Sequence, residues 1–253
     1  AGQGVGPLSP LGRKMTSSFL NLAQGISCRD QWSLGTLVDM GVTRPDLSLG
    51  VDPLWDLPNQ GLVRARAHSQ WRGSAIGFIF RKDYLVQKQS LLANLKFRFG
   101  DVKLITFYPE DYHAANKIGQ ELIGSPPVLI QEIKEFVELV PELSFVIGEK
   151  LHGLLLAARC GLPGIGLSND PKIKAFCQQM EWSCFSGRDL GLEELMLMAV
   201  EEIRSNLEAA VLHTVEMSQA MEAKAKEERE WVQRLIGDTL VKPQTSLVSS
   251  STL

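Results

Sequence analysis

Short apolar runs recur along this chain at 26–29, 48–51, 75–80, 103–107, 144–147 and 164–167, and most lack strict alternation of apolar and polar residues. Strands whose two faces are both covered read this way, because neither face has to meet water. Between them lie segments with helical spacing, expected at 14–23, 31–40, 84–99, 111–121, 131–139, 150–159 and 172–180. Parallel strands need crossovers of this length, so the rhythm selects an α/β fold with parallel sheets.

With 253 residues, 44% of them hydrophobic, the chain has enough apolar surface for one large domain or two smaller ones. The periodicity fails over 53–73, where Pro58, Gly61 and the basic run from Arg64 to Gln70 read as a connector. The segment before it holds too few strands to close a sheet. It opens on Gly2-Gln3-Gly4-Val5-Gly6-Pro7-Leu8, which reads as a strand end followed by a tight turn, entered in mid-motif. The expected organisation is therefore 1–70 as the later part of a first α/β domain with its connector, and 71–190 as a second α/β domain. Residues 191–240 are expected as one or two long helices. Val200, Ile203, Leu207, Val211 and Met217 would form their buried stripe, and 241–253 would be a disordered tail.

Composition narrows the function classes. A formal charge of −3 supplies no basic field for nucleic acid, and no nucleic-acid partner is expected. Cys28, Cys160, Cys177 and Cys184 are scattered without a Cys-x-x-Cys pair, so no metal site or disulfide framework is expected. No apolar run approaches the roughly 18 residues of a membrane span, and no signal-peptide layout stands at the N-terminus. A cytoplasmic protein with free thiols is the expectation.

Chemistry-bearing residues gather at the junctions between strands and helices. Lys150 and His152 in Gly148-Glu149-Lys150-Leu151-His152 follow one strand, and Lys172 in Asn169-Asp170-Pro171-Lys172 follows the next. In open α/β sheets ligands bind beyond the carboxyl ends of the strands, where helix N-termini favour anions. An anionic substrate follows. Each residue also has a plain structural reading. His152 suits a structural place beside a helix start as well as proton transfer. Asp30 reads as a helix N-cap and Arg29 as its ion-pair partner, while Asp170-Pro171 fits an N-cap followed by proline, leaving Lys172 in the first turn. A first-turn lysine opposes the helix dipole, which favours a functional reason for it.

Laid out in order, these pieces resemble the polysaccharide pyruvyl transferase family, of the type that acts on bacterial cell-wall polysaccharides. The carriers are Gly2 to Leu8, Ser27-Cys28-Arg29-Asp30 with Ser33, Leu37 and Gly41-Val42, and then Asp52-Pro53. Gly77-Phe78-Ile79-Phe80-Arg81, Asp111, Val146 to His152, Gly161-Leu162-Pro163 and Asn169 to Lys172 follow. The chain departs from the family in having Lys150 for an arginine and Asn169 for a tyrosine. Lysine keeps the charge but lacks the bidentate fork.

The resemblance implies a GT-B-like fold of two Rossmann-like parallel-sheet domains, the first incomplete in this chain, with the active site in the cleft between them and the C-terminal helices of 191–240 packing back toward the first domain. It implies a transferase of cell-surface polysaccharide biosynthesis, which moves the pyruvyl group of phosphoenolpyruvate onto a sugar or saccharide acceptor, free or lipid-linked, as a cyclic ketal. Phosphoenolpyruvate is then a co-substrate, and no cofactor or metal is expected. Arg29 and His152 are implied as catalytic, with Lys150, Leu151, Lys172 and Arg81 as substrate-binding. Two other classes share the features: a GT-B nucleotide-sugar glycosyltransferase, whose diphosphate also wants cations at a helix N-terminus, and a non-catalytic fragment.

Overall fold

The computed structural model describes residues 8–43, 46–57, 73–82 and 85–241, except for the side chains of 85–87 and 238–241. The opening glycine segment through Pro7, the connector run with Arg64 to Gln70, and the tail after Lys242 lie outside the described residues. The chain divides into two compact units: 1–57 together with 221–253, and 58–220.

The second unit is built on six parallel strands: β3 (Ala75–Ile79), β4 (Val102–Thr106), β5 (Val128–Leu129), β6 (Leu143–Gly148), β7 (Gly164–Leu167) and β8 (Cys184–Phe185). They lie in the order β5-β4-β3-β6-β7-β8, the doubly wound Rossmann order. Every residue of β3, β6 and β7 is buried, so the lack of alternation in their sequences reflects cover on both faces. The helices between them are α3 (Leu85–Phe99), α4 (Pro109–Ile118), α5 (Ile133–Leu139), α6 (Leu151–Arg159) and α7 (Pro171–Met180), followed by α8 (Leu192–Ser205). On one face Ile76, Phe78, Phe145 and Ile147 pack with Leu92 and Leu95 of α3 and with Met196 and Val200 of α8.

Sequence periodicity misses β5 and β8, because two residues carry no period. It also starts α4 at 111; the helix begins at Pro109, and a π-helical turn, Gly119–Ile123, follows it.

The first unit contains α1 (Pro10–Leu20), β1 (Ile26–Cys28), α2 (Gln31–Asp39), β2 (Leu47–Leu49) and a 3-10 turn at Pro53–Asp56. The helix expected over 14–23 starts earlier because Ser9 caps it, accepting from Gly12 N–H at 3.1 Å, with Pro10 at the first helical position. β1 and β2 form a parallel two-stranded sheet, Ile26 beside Leu47 and Cys28 beside Leu49. Its core is Cys28, Leu37 and Val42.

The last helix, α9 (Leu207–Val241), buries one stripe through Val211, Thr214, Ser218, Met221 and Ala225. Residues up to Ala220, with all of α8, belong with the second unit. From Met221 on the helix belongs to the first unit, where Glu228 accepts hydrogen bonds from Ser27 Oγ and from Val51 N–H.

Candidate active site

Six βα junctions leave the carboxyl edge of the six-stranded sheet, since all its strands run parallel, and four of them carry the candidate residues. The central pair, β3 and β6, marks the point where the strand order reverses, and a crevice opens at such a point. Arg81 follows β3, Tyr108 and Asp111 follow β4, Lys150 and His152 follow β6, and Lys172 follows β7.

Lys150 occupies the N-cap position of α6 with extended backbone, φ −130 and ψ 126, and makes no side-chain cap bond. Its ammonium is spent sideways instead. Nζ lies 2.6 Å from Asp111 Oδ2 and 3.9 Å from the centre of the Tyr108 ring, an ion pair and a cation–π contact on one group. Asp111, only 2% exposed, uses its other oxygen to accept from Lys82 N–H at 2.9 Å. As the third residue of α4 it also sits where the helix dipole favours a carboxylate. His152, one turn position further on, is exposed, and Leu151 is half-buried. The first turn of α6 seats closely on the sheet because residue 153 is glycine: a Cβ there would stand 2.9 Å from both the Ile79 and Phe107 side chains.

Glu149 is buried beside this group. Its Oε2 accepts from Lys88 Nζ at 2.7 Å and from Arg81 N–H at 2.9 Å, while the same ammonium donates to the Arg81 carbonyl. Burial pushes the Glu149 carboxyl up to about 7, against the pull of Lys88 and the Arg81 N–H. Lys88 also lies 4.7 Å from the Phe80 ring centre.

At the next junction Asp170 caps α7, accepting from Lys172 N–H at 2.9 Å, with Pro171 at the first helical position. This is the capping arrangement read from the sequence, and the half-buried Lys172 side chain stands in the first turn. Gly148 pairs with Gly166, so the β6 and β7 junctions leave the sheet side by side. Asn169 is held by a hydrogen bond from Ser186 Oγ beyond β8.

Arg29 belongs to the first unit. Its Nε lies 3.1 Å from Asp30 Oδ2 and its Nη1 3.3 Å from Asp52 Oδ2. Both aspartates are caps as well: Asp30 Oδ1 accepts from Ser33 N–H at 2.7 Å, and Asp52 Oδ1 from Leu54 N–H at 3.0 Å. Each carboxylate thus ends one structural element and orients the guanidinium with its second oxygen. The cap and ion-pair readings of Asp30 are both realised.

The second unit therefore brings Arg81, Lys150, Leu151, His152 and Lys172 to one edge of one sheet. Sequence reasoning missed Lys88 and Tyr108 and gave Asp52 and Asp111 no task beyond their places in the family's motifs. A signal for Lys88 was present: it shares helical spacing with Leu91, Leu92 and Leu95, so its ammonium had to be buried and matched by a carboxylate. The junction after β4 was another, since residues there must reach the same edge. Among the described residues no group of three or more His, Cys, Asp or Glu is placed to hold a metal ion, and no helix is long and apolar enough to cross a membrane.

Solved structures of similar architecture include a glycosyltransferase and two 2-epimerases. A glycosyltransferase from Rickettsia africae matches 92% of this chain and 69% of its own at 10% identity, with a TM-score of 0.59. The UDP-GlcNAc 2-epimerase from Neisseria meningitidis, solved with UDP-GlcNAc bound, matches 88% of this chain and 64% of its own at 13% identity and a TM-score of 0.56. Another UDP-N-acetylglucosamine 2-epimerase matches 99% and 68% at 14% identity and a TM-score of 0.59. At such identities the likeness establishes the α/β, GT-B-like fold with parallel sheets. The chain spans about two thirds of the length of these structures. No curated protein sequence matches it. The family model for polysaccharide pyruvyl transferase matches residues 2–171, a stretch that holds Arg29, Arg81, Asp111, Lys150 and His152 alike, and the chain belongs to that transferase family.

Proposed function

We propose that this protein takes part in transferring the pyruvyl group of phosphoenolpyruvate to two hydroxyls of a saccharide, free or carried on a lipid, as a cyclic ketal. The observation that carries the reading is the edge on which the junctions of Arg81 and Lys172 lie on either side of the junction that holds Lys150 and the exposed His152, in a chain of this family. Phosphoenolpyruvate bears a phosphate and a carboxylate close together, and an anion of that kind needs several cations or N–H donors around it.

The reaction balances without a cofactor. The enol carbon C3 takes a proton, one sugar hydroxyl forms a C–O bond to C2, and the C2–O bond to phosphate breaks. The second hydroxyl then closes the ring at C2. Of the two hydroxyl protons released, one offsets the proton taken by C3 and the other leaves with phosphate. His152 is assigned the proton transfers, because it is exposed at the edge and an imidazole can both give and take a proton. Lys172 holds the donor's anionic end, Lys150 reaches it with the N–H groups that its pairing with Asp111 and Tyr108 leaves over, Arg81 and Leu151 line it, and Arg29 is assigned a catalytic role by its place in the family motif.

Calorimetric titration of the chain with phosphoenolpyruvate, run beside UDP-GlcNAc, tests the reading. Binding of phosphoenolpyruvate alone supports it. Binding of UDP-GlcNAc alone would move the protein to nucleotide-sugar transfer.

A further inference from the structure

We propose that Glu149 and Lys88 form a buried latch that sets the backbone of Arg81, which makes Glu149 a positioning residue for the donor site. The inference rests on the reading of this sheet edge as a phosphoenolpyruvate site. Arg81 stands beyond the end of β3, where the strand ladder no longer supplies partners for its backbone. Backbone groups leaving a buried strand must still be hydrogen-bonded. One ion pair meets both needs. Glu149 Oε2 accepts from the Arg81 N–H at 2.9 Å, and Lys88 Nζ, 2.7 Å from the same oxygen, donates to the Arg81 carbonyl. Glu149 is itself anchored, its N–H donating to Ile79 O at 3.1 Å.

A purely structural role does not explain the choice of residues. Removing two charges from water costs more than most buried pairs return, and an apolar pair of the same volume fills a core at least as well. An apolar pair cannot bond the two polar groups of one peptide position. The next residue is fixed in the same manner by a different junction: Lys82 N–H donates to Asp111 Oδ1, and Asp111 Oδ2 faces Lys150. Two neighbouring residues of the β3–α3 loop are thus registered against carboxylates from the β6 and β4 junctions. The exposed Arg81 side chain is carried at a set place on the same edge as Lys150.

The double variant Lys88→Met with Glu149→Leu tests this, with amide hydrogen exchange read residue by residue by NMR and phosphoenolpyruvate affinity read by calorimetry. Exchange at Arg81 is expected to quicken tenfold or more, and that at Lys82, still held by Asp111, to change less. The dissociation constant for phosphoenolpyruvate is expected to rise about tenfold. Arg81→Ala alone should weaken binding by a similar factor, and adding it to the double variant should weaken binding no further, because coupled residues are not additive. Should the double variant fail to fold, Glu149→Asp, which keeps the charge and withdraws the carboxylate by one methylene, carries the same measurements. Unchanged exchange at Arg81 in a folded variant overturns the latch, and losses from Arg81→Ala and the latch variant that simply add overturn the positioning role. A parent protein with no affinity for phosphoenolpyruvate overturns the donor reading and the positioning role with it, while the Arg81 exchange rates decide the latch separately.

Discussion

The two units hold their candidate functional residues by different physical means. In the second, the edge grows out of a sheet whose central strands are wholly buried, and Phe78, Phe145 and Ile147 lie under helices on a filled face. In the first, two three-residue strands carry a small core, α1 buries none of its residues, and Phe19 on that helix is 74% exposed. Arg29 is nonetheless as firmly engaged as any group in the second unit, through Asp30 and Asp52. A large core can orient a side chain by packing, whereas a small one has to orient it by polar bonds to the ends of its elements.

The contrast breaks or holds first at two phenylalanines. Phe145→Ala should cost about 3–5 kcal/mol of stability, as large-to-small changes in filled cores do. Phe19→Ala should stay within about 0.5 kcal/mol, the range of plain surface changes. Urea unfolding of both variants checks this, and a cost at Phe19 near that at Phe145 would mean that the α1 face is covered in solution. His152→Ala lies in the same large class for rate: turnover should fall by about 10²–10⁴-fold with the melting temperature unchanged. Near-normal phosphate release from phosphoenolpyruvate would remove its assigned role.

The buried carboxyl of the second unit gives a pH test. Glu149 in the native protein holds its proton up to about pH 7 rather than the ordinary 4.5, so between those values the unfolded chain binds fewer protons than the native one. Stability from this group therefore falls as pH rises from about 4.5 to about 7 and is level above that, by about 3 kcal/mol in all. Urea midpoints across this range should show the decline in the parent protein and lack it in the double variant at Lys88 and Glu149. A rise with pH from this site would show that Lys88 outweighs burial.

Smaller effects sharpen the comparison. Lys172→Gln should raise the Michaelis constant for phosphoenolpyruvate about tenfold, about 1.4 kcal/mol, and leave that for the saccharide unchanged. Equal changes in both would make Lys172 a plain first-turn residue. Asp52→Asn keeps the cap on Leu54 and removes one charge from Arg29, and should cost about 1 kcal/mol of stability. The exposed Lys117–Glu121 pair of the second unit, at 3.9 Å, should contribute less than about 0.5 kcal/mol when tested by Glu121→Ala. Equal costs for the two in thermal melts would end the claim that the first unit depends more on its polar clamps.

Local chemistry alone was enough for much of this protein. The absence of alternation in β3, β6 and β7 announced strands covered on both faces, and β7 falls where the spacing puts it, at Gly164–Leu167. Asp30 and Asp170 were readable as caps because a cap depends on three or four neighbouring residues. Junction logic, a property of strand direction and order, grouped Lys150, His152 and Lys172 on one edge. Tertiary structure decided the rest. β5 and β8 exist only because β4 and β7 offer edges to pair with, a two-residue segment having no preference of its own. Lys150 reads as a free cation along the chain but is committed to Asp111 and Tyr108, which lie about forty residues earlier. Lys88, Glu149 and the Arg81 backbone meet only when β3, α3 and β6 are assembled, and the buried charges of Lys88 and Glu149 are tolerable only because each faces the other and the Arg81 peptide groups. Sequence spacing reports what a residue does within a turn or a strand; which charges share a buried site depends on contacts between segments far apart in the chain.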